Sequence, residues 1–204
     1  KMWNDPAIKT DNGGASLPPT AIQVIHRSDG SGTTNALTSY LSAVAPSTWT
    51  AGKGKDVPWP TGQGAKGSDG VTAAVKQTVG AIGYAEVSFA KAASLGIGQI
   101  KNPAGTFVGP AAASVAAALA EAQVPQDLKI VPNFKPTSAQ AYPLATPTWV
   151  LVFAKPDAAK AKLLKDFLLY AVGDGQKAAP GLDYAPLPTA LAQLDLGAVN
   201  SIQG

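Results

Sequence analysis

Ile22–Val44, IQVIHRSDGSGTTNALTSYLSAV, decides the fold, because it reads as a strand, a tight polar loop and then a helix. Ile22, Val24 and Ile25 form a short β-rich run that ends at His26 and Arg27. Ser28-Asp29-Gly30-Ser31-Gly32-Thr33-Thr34 follows. Its glycines let the backbone take positive φ and let a ligand approach the main chain. Ser31, Thr33 and Thr34 are candidate caps for the next helix. Leu37, Tyr40, Leu41 and Val44 give that helix an apolar face at i, i+3, i+4, i+7 spacing.

The first N–H groups of a helix have no partner inside it, and with the helix dipole they favour an anion there. Arg27 adds a full positive charge in a planar fork that suits a tetrahedral oxyanion. Asp29, two residues on, is expected to pair with Arg27 and hold the guanidinium still. The alternative is that Asp29 accepts a proton from the ligand, which fails for sulfate, since sulfate carries none at neutral pH. The competing structural reading is an ordinary Gly-rich turn with Ser and Thr as caps.

Outward from this stretch the chain alternates strands and helices. Asp5 before Pro6 suggests a short helix start. Residues 45–68 are loop-rich, with Trp49 and Trp59 expected to pin the loop to the core, the alternative being a wall near a cleft mouth. Ser68 or Asp69 is expected to cap a helix through Val71, Ala74, Val75 and Thr78, stopped by Gly80. Ala81–Val87 reads as a strand whose end Glu86 interrupts, Glu86 being read as exposed or locally paired. A helix to about Leu95 follows. This alternation argues for an α/β fold, a parallel or mixed sheet covered by helices.

Asn102–Pro110 suggests a small hairpin or an extended loop and Ala111–Ala122 an alanine-rich helix. Thr148–Ala154, TWVLVFA, reads as a strand buried on both faces. Pro156 then opens a helix with Leu164, Phe167, Leu168 and Ala171 facing inward, stopped by Gly173. Residues 189–196 form a last short helix.

The composition narrows the function classes. Of 204 residues, 46% are hydrophobic and 14% charged, enough apolar content to build a core. A net charge of +3 is too small and dispersed to argue for nucleic acid. Arg27 is the only arginine among 16 basic residues, which points to a special task for it. There are no cysteines, hence no disulfides or thiolate metal sites. No apolar run reaches the ~18 residues a transmembrane helix needs. The chain opens at Lys1-Met2-Trp3 without a signal or lipidation motif, as a fragment would.

Enzyme readings fare worse than binding. His26 is the only histidine, and alternation on a strand aims it away from the face of Arg27. Ser31 lacks the Gly-x-Ser-x-Gly elbow. No Lys follows Gly32 as a nucleotide-binding P-loop requires. No His/Cys cluster suggests a metal, and no cofactor is implied. A phosphatase-like hydrolase using Ser31 or Thr33 as nucleophile, or a module in which the loop is purely structural, remain the alternatives.

Arg27–Thr34, RSDGSGTT, resembles the phosphate-contacting loop of the extracytoplasmic phosphate-binding proteins that feed the phosphate ABC importer, the PstS-like proteins of periplasmic-binding-protein type II fold. Trp3-Asn4-Asp5-Pro6, Lys66-Gly67-Ser68-Asp69-Gly70-Val71, Gly80-Ala81-Ile82-Gly83-Tyr84, Tyr142-Pro143-Leu144 and Leu182-Asp183-Tyr184-Ala185-Pro186-Leu187-Pro188 add to the resemblance, in order. It implies that Arg27, Ser31, Gly32 and Thr33 contact phosphate and that Asp29 pairs with the arginine. It implies a non-enzymatic receptor in the periplasm or lipid-anchored at the cell surface, with inorganic phosphate and a membrane ABC permease as partners. Family members extend well beyond this N-terminus, and that segment carries the opposite wall of the site, including a carboxylate for the phosphate proton. By analogy, residues 1–146 form a nearly complete phosphate-loop lobe. Residues 147–204 return to a second lobe whose N-terminal half is absent here.

Overall fold

The computed structural model describes residues 1–203, side chains included except at 158 and 159. The chain divides into two compact units, residues 1–97 and 98–204.

The first unit opens with helix α1 (Pro6–Asp11), whose Asp5 cap accepts the Ala7 N–H at 3.0 Å. Strand β1 (Gln23–Arg27) is the centre of a three-stranded parallel sheet, flanked by β2 (Gln63–Ala65) and β3 (Ala81–Ile82). Helix α2 (Gly32–Val44) connects β1 to β2, and α3 (Gly67–Gln77) connects β2 to β3. Parallel neighbours demand such crossovers, and each one returns a helix N-terminus to the end of the sheet where β1 stops. Helix α4 (Val87–Ala92) closes the unit.

Ile25 of β1 and Val71 of α3 are each 1% exposed and form the centre of this unit. Gly83 must pass beside them, since a Cβ there would lie 2.8 Å from Val75 and 3.0 Å from Val71. Gly80 has φ +76°, and a Cβ would fall 2.6 Å from the Ala21 carbonyl oxygen. Its own carbonyl accepts the Trp3 indole N–H at 2.9 Å and the Gln23 N–H at 3.0 Å. Glycine is thus needed where the chain turns into β3.

Three expectations for this unit change. The strand at 81–87 keeps only Ala81–Ile82, because β3 pairs with β1 through Gln23 and Val24 alone. Helix α3 starts at Gly67, so Ser68 sits inside the first turn instead of capping it, and its hydroxyl turns elsewhere. The apolar stripe of α2 is only half-buried, and its fully buried positions are Thr34 and Thr38. Thr38 can be buried because its hydroxyl donates back to the Thr34 carbonyl at 2.8 Å and accepts the Gly54 N–H at 3.1 Å.

In the second unit β4 (Ile100–Lys101) and β5 (Phe107–Val108) form the expected hairpin. Its turn is anchored by buried Asn102, which donates to the Ser138, Ala139 and Ala141 carbonyls and accepts from the Thr106 N–H. Helix α5 (Ala112–Leu119) packs Ala118 against Ala141 and Ala145. Helix α6 (Ala158–Val172), a 3-10 segment (Asp174–Leu182) and α7 (Thr189–Asn200) follow, with Leu168, Val199 and Ile202 at a second small core.

Residues 148–154 do not form the expected buried strand. Leu151 is 93% and Phe153 84% exposed, and no strand among the described residues pairs with this run. A strand needs a neighbour for its N–H and C=O groups, and an apolar run without one gains neither ladder nor burial. In α6 the buried stripe runs through Ala161 and Leu168 with Leu164 partly covered, while Phe167 lies off that stripe and is exposed.

Candidate functional site

The loop between β1 and α2 lies wholly in the first unit. Ser31 takes an extended conformation (φ −139°, ψ 134°) and is the N-cap of α2. Its hydroxyl oxygen accepts the N–H groups of Thr33 at 3.1 Å and Thr34 at 3.3 Å, and it is 4% exposed. The Ser31 N–H donates to the Lys55 carbonyl at 2.9 Å, which fixes the cap from the far side. Two helix-start amides therefore have a partner. The Gly32 N–H, the first of α2, has no acceptor among the described residues, and the Ser31 hydroxyl proton stays available for donation.

Arg27 is held rather than swung outward, its side chain 13% exposed. Nε donates to Asp29 Oδ1 at 2.8 Å and Nη2 to Oδ2 at 2.6 Å. Asp29 Oδ1 also accepts the Gly67 N–H, at the start of α3, at 3.0 Å. Of the two roles open to Asp29, the structure shows the pairing with Arg27. That guanidinium, with the Gly67 amide second, holds the Asp29 carboxyl well below the usual carboxylate range. In return Asp29 pushes the Arg27 pKa up, so its charge is permanent.

Three residues that sequence reasoning left outside the site belong to it. Tyr84 accepts the Arg27 N–H on its hydroxyl at 3.0 Å, and the same hydroxyl shares a 2.6 Å bond with Thr34 Oγ1. Glu86 accepts the Thr33 hydroxyl on Oε1 at 2.7 Å and the Ser68 hydroxyl on Oε2 at 2.6 Å. Ser68 also lies 3.5 Å from Arg27 Nη1. Burial alone would raise the Glu86 pKa, but the Ser68 and Thr33 hydroxyls, with the Arg27 charge, outweigh it and hold the carboxyl below its ordinary value. Tyr84 and Glu86 are two residues apart beyond β3, a spacing that puts both on one side of an extended chain. That alternation was the signal available in the sequence.

The structure thus brings Arg27, Asp29, Ser31, Gly32 and Thr33 together at two converging helix starts. His26 is placed apart: its ring stacks on Trp59 at 4.9 Å between centroids, and Nδ1 lies 3.0 Å from the Arg27 carbonyl oxygen. Trp59 in turn stacks on Tyr84 at 5.7 Å and meets Trp49 edge-on at 5.4 Å. The tryptophans pin the long loop to the back of the site.

Chemically, the cluster offers one fixed cation, a free helix-start amide and small hydroxyls, a donor set for an oxyanion. Residues 1–174 match the model of the PBP superfamily domain. The chain is 44% identical over 199 residues to a phosphate-binding protein PstS of Pasteurella multocida, covering 95% of this chain and 57% of that one. It is 39% identical over 196 residues to a phosphate-binding protein PstS of Xylella fastidiosa, covering 94% and 53%. The chain therefore spans little more than half the length of these relatives. Among solved structures it is similar to a high-affinity periplasmic phosphate-binding protein (PfluDING) bound with phosphate, with TM-score 0.61 and 24% identity, covering 93% of this chain and 64% of that one.

Proposed function

Since the chain belongs to the PBP superfamily, we propose that it binds inorganic phosphate as part of the extracytoplasmic receptor of an ABC phosphate importer. Arg27 would supply charge, the Gly32 amide and Ser31 hydroxyl directional donors, and Thr33 a further contact. The observation that carries this reading is the Asp29 clamp, which holds the chain's only arginine in the loop before α2 and beside the start of α3. The names of the relatives support the choice of phosphate over other oxyanions.

Residues 1–146 would contribute most of one lobe and 147–204 the returning part of a second. The exposed apolar run at 148–153 supports that division, since it is where a further segment would supply the missing strand neighbours. That segment would also complete the site. Closure of two lobes over the ion and delivery to a membrane permease would follow. Among the described residues no helix is long and apolar enough to cross a membrane.

A hydrolytic role has less support. Ser31 oxygen is engaged in capping, and Glu86, the carboxylate bonded to Thr33, is held at a low pKa and is a weak base. Titration calorimetry on the intact protein tests the proposal: phosphate gives a saturating heat and sulfate does not. Equal heats for the two anions would refute the selectivity.

A further inference from the structure

Thr33 has one hydroxyl proton, and that proton points to Glu86 Oε1 at 2.7 Å. The Ser68 proton points to Oε2 of the same carboxylate at 2.6 Å. A hydroxyl that donates to one acceptor offers only lone pairs to any other. An oxyanion arriving at the start of α2 also needs donors, and Thr33 lies there. The two acceptors thus want the same hydrogen.

The local charge sharpens the conflict. Arg27 brings a single positive charge, and Asp29 already takes its Nε and Nη2 edge. Glu86 adds a second carboxylate within the field of the same guanidinium. Side chains here sum to one cation against two carboxylates before any ligand is counted. The converging starts of α2 and α3 supply the remaining positive potential.

We propose that Glu86 is an internal competitor for the oxyanion, a tethered carboxylate that holds the Thr33 and Ser68 protons and must yield the Thr33 proton when the ligand is seated. The inference rests on the phosphate-binding reading of the loop and deepens it. Glu86 sets the affinity downward, so that the receptor grips its ion no more tightly than its release permits. Ser68 keeps one arm of the carboxylate in place, so the exchange at Thr33 is a short swing and not an expulsion. A simple brace would act in the opposite sense: its removal would loosen Thr33 and weaken binding.

The test is phosphate titration by calorimetry, with stopped-flow association rates, on the intact wild-type protein, Glu86→Gln, Glu86→Asp and Arg27→Ala. Glu86→Gln removes the charge and frees one hydroxyl proton, so phosphate affinity rises roughly fivefold, the worth of about one net hydrogen bond, and association quickens. Glu86→Asp keeps the charge but shortens the reach to Thr33. It gives a smaller gain and serves as the deciding variant if Glu86→Gln does not fold. Unchanged or weaker phosphate binding in a folded Glu86 variant, beside a wild type that binds and an Arg27→Ala that binds more weakly than wild type, overturns the competitor and leaves the phosphate reading standing. No binding by the wild type overturns both.

Discussion

Both carboxylate oxygens of Asp29 meet one edge of the Arg27 guanidinium, at 2.8 and 2.6 Å. The pair spans the turn from β1 into the loop, and the Gly67 amide ties it to α3. One carboxylate therefore sets the direction of the only guanidinium and ties it to the start of α3. This makes Arg27 and Asp29 separable by experiment, because under the proposed function the cation would meet the ligand, while the anion holds the cation and the Gly67 amide.

Arg27→Ala is expected to weaken phosphate binding roughly ten- to a hundredfold, since charge-assisted hydrogen bonds contribute about 1.5–3 kcal/mol. Arg27→Lys should recover little, because an ammonium cannot meet Asp29 and an oxyanion with one planar fork. Calorimetric Kd values check both variants.

Asp29→Asn leaves the guanidinium in place but unclamped. Affinity should fall less than in Arg27→Ala while thermal stability drops, as seen in a calorimetric melt. A variant with wild-type affinity and wild-type Tm would show that the clamp is idle.

Acid should destabilise the first unit through Asp29 and Glu86. Both carboxyls are held below their ordinary values in the folded chain. Their contribution is complete above the unfolded carboxylate range, about pH 4–4.5, and is lost as the pH falls through their folded values. Tm measured from pH 6 down to pH 2 should fall, and Asp29→Asn should flatten that descent.

Ser31→Ala removes the acceptor of the Thr33 and Thr34 amides. It should lower stability by about 1 kcal/mol, while Ser31→Gly costs only a few tenths. Chemical denaturation measures the difference. Phosphate affinity should fall in both variants, since both lose the hydroxyl donor.

Tyr84→Phe leaves the Arg27 N–H and the buried Thr34 hydroxyl without their shared partner. A cost of about 1–3 kcal/mol is expected in urea unfolding, with the m-value unchanged.

What was legible in the sequence was local. Ser31 as a cap, Arg27 beside Asp29 and the glycine-rich turn are neighbours along the chain, so their spacing alone predicts their contacts. Tyr84, Glu86 and Ser68 reach the loop through parallel pairing of β1 with β2 and β3, and no short window contains that information. The buried face of α2 departs from its apolar stripe for a related reason. Thr34 and Thr38 are polar by composition, yet Tyr84, Gly54 and the helix backbone satisfy their hydroxyls, so burial costs them little. At 148–154 the sequence offered a sound strand pattern, but a strand is a property of two chains side by side, and the described residues supply only one.

Trp59 stacks on the ring of Tyr84, whose hydroxyl grips the first turn of α2, and also meets the rings of His26 and Trp49. Its indole is therefore wired to the loop by a single aromatic ring, so a shift of the Ser31–Thr34 backbone alters the quenching around Trp59. If the chain binds phosphate as proposed, Trp59 emission would follow that event with no dye attached.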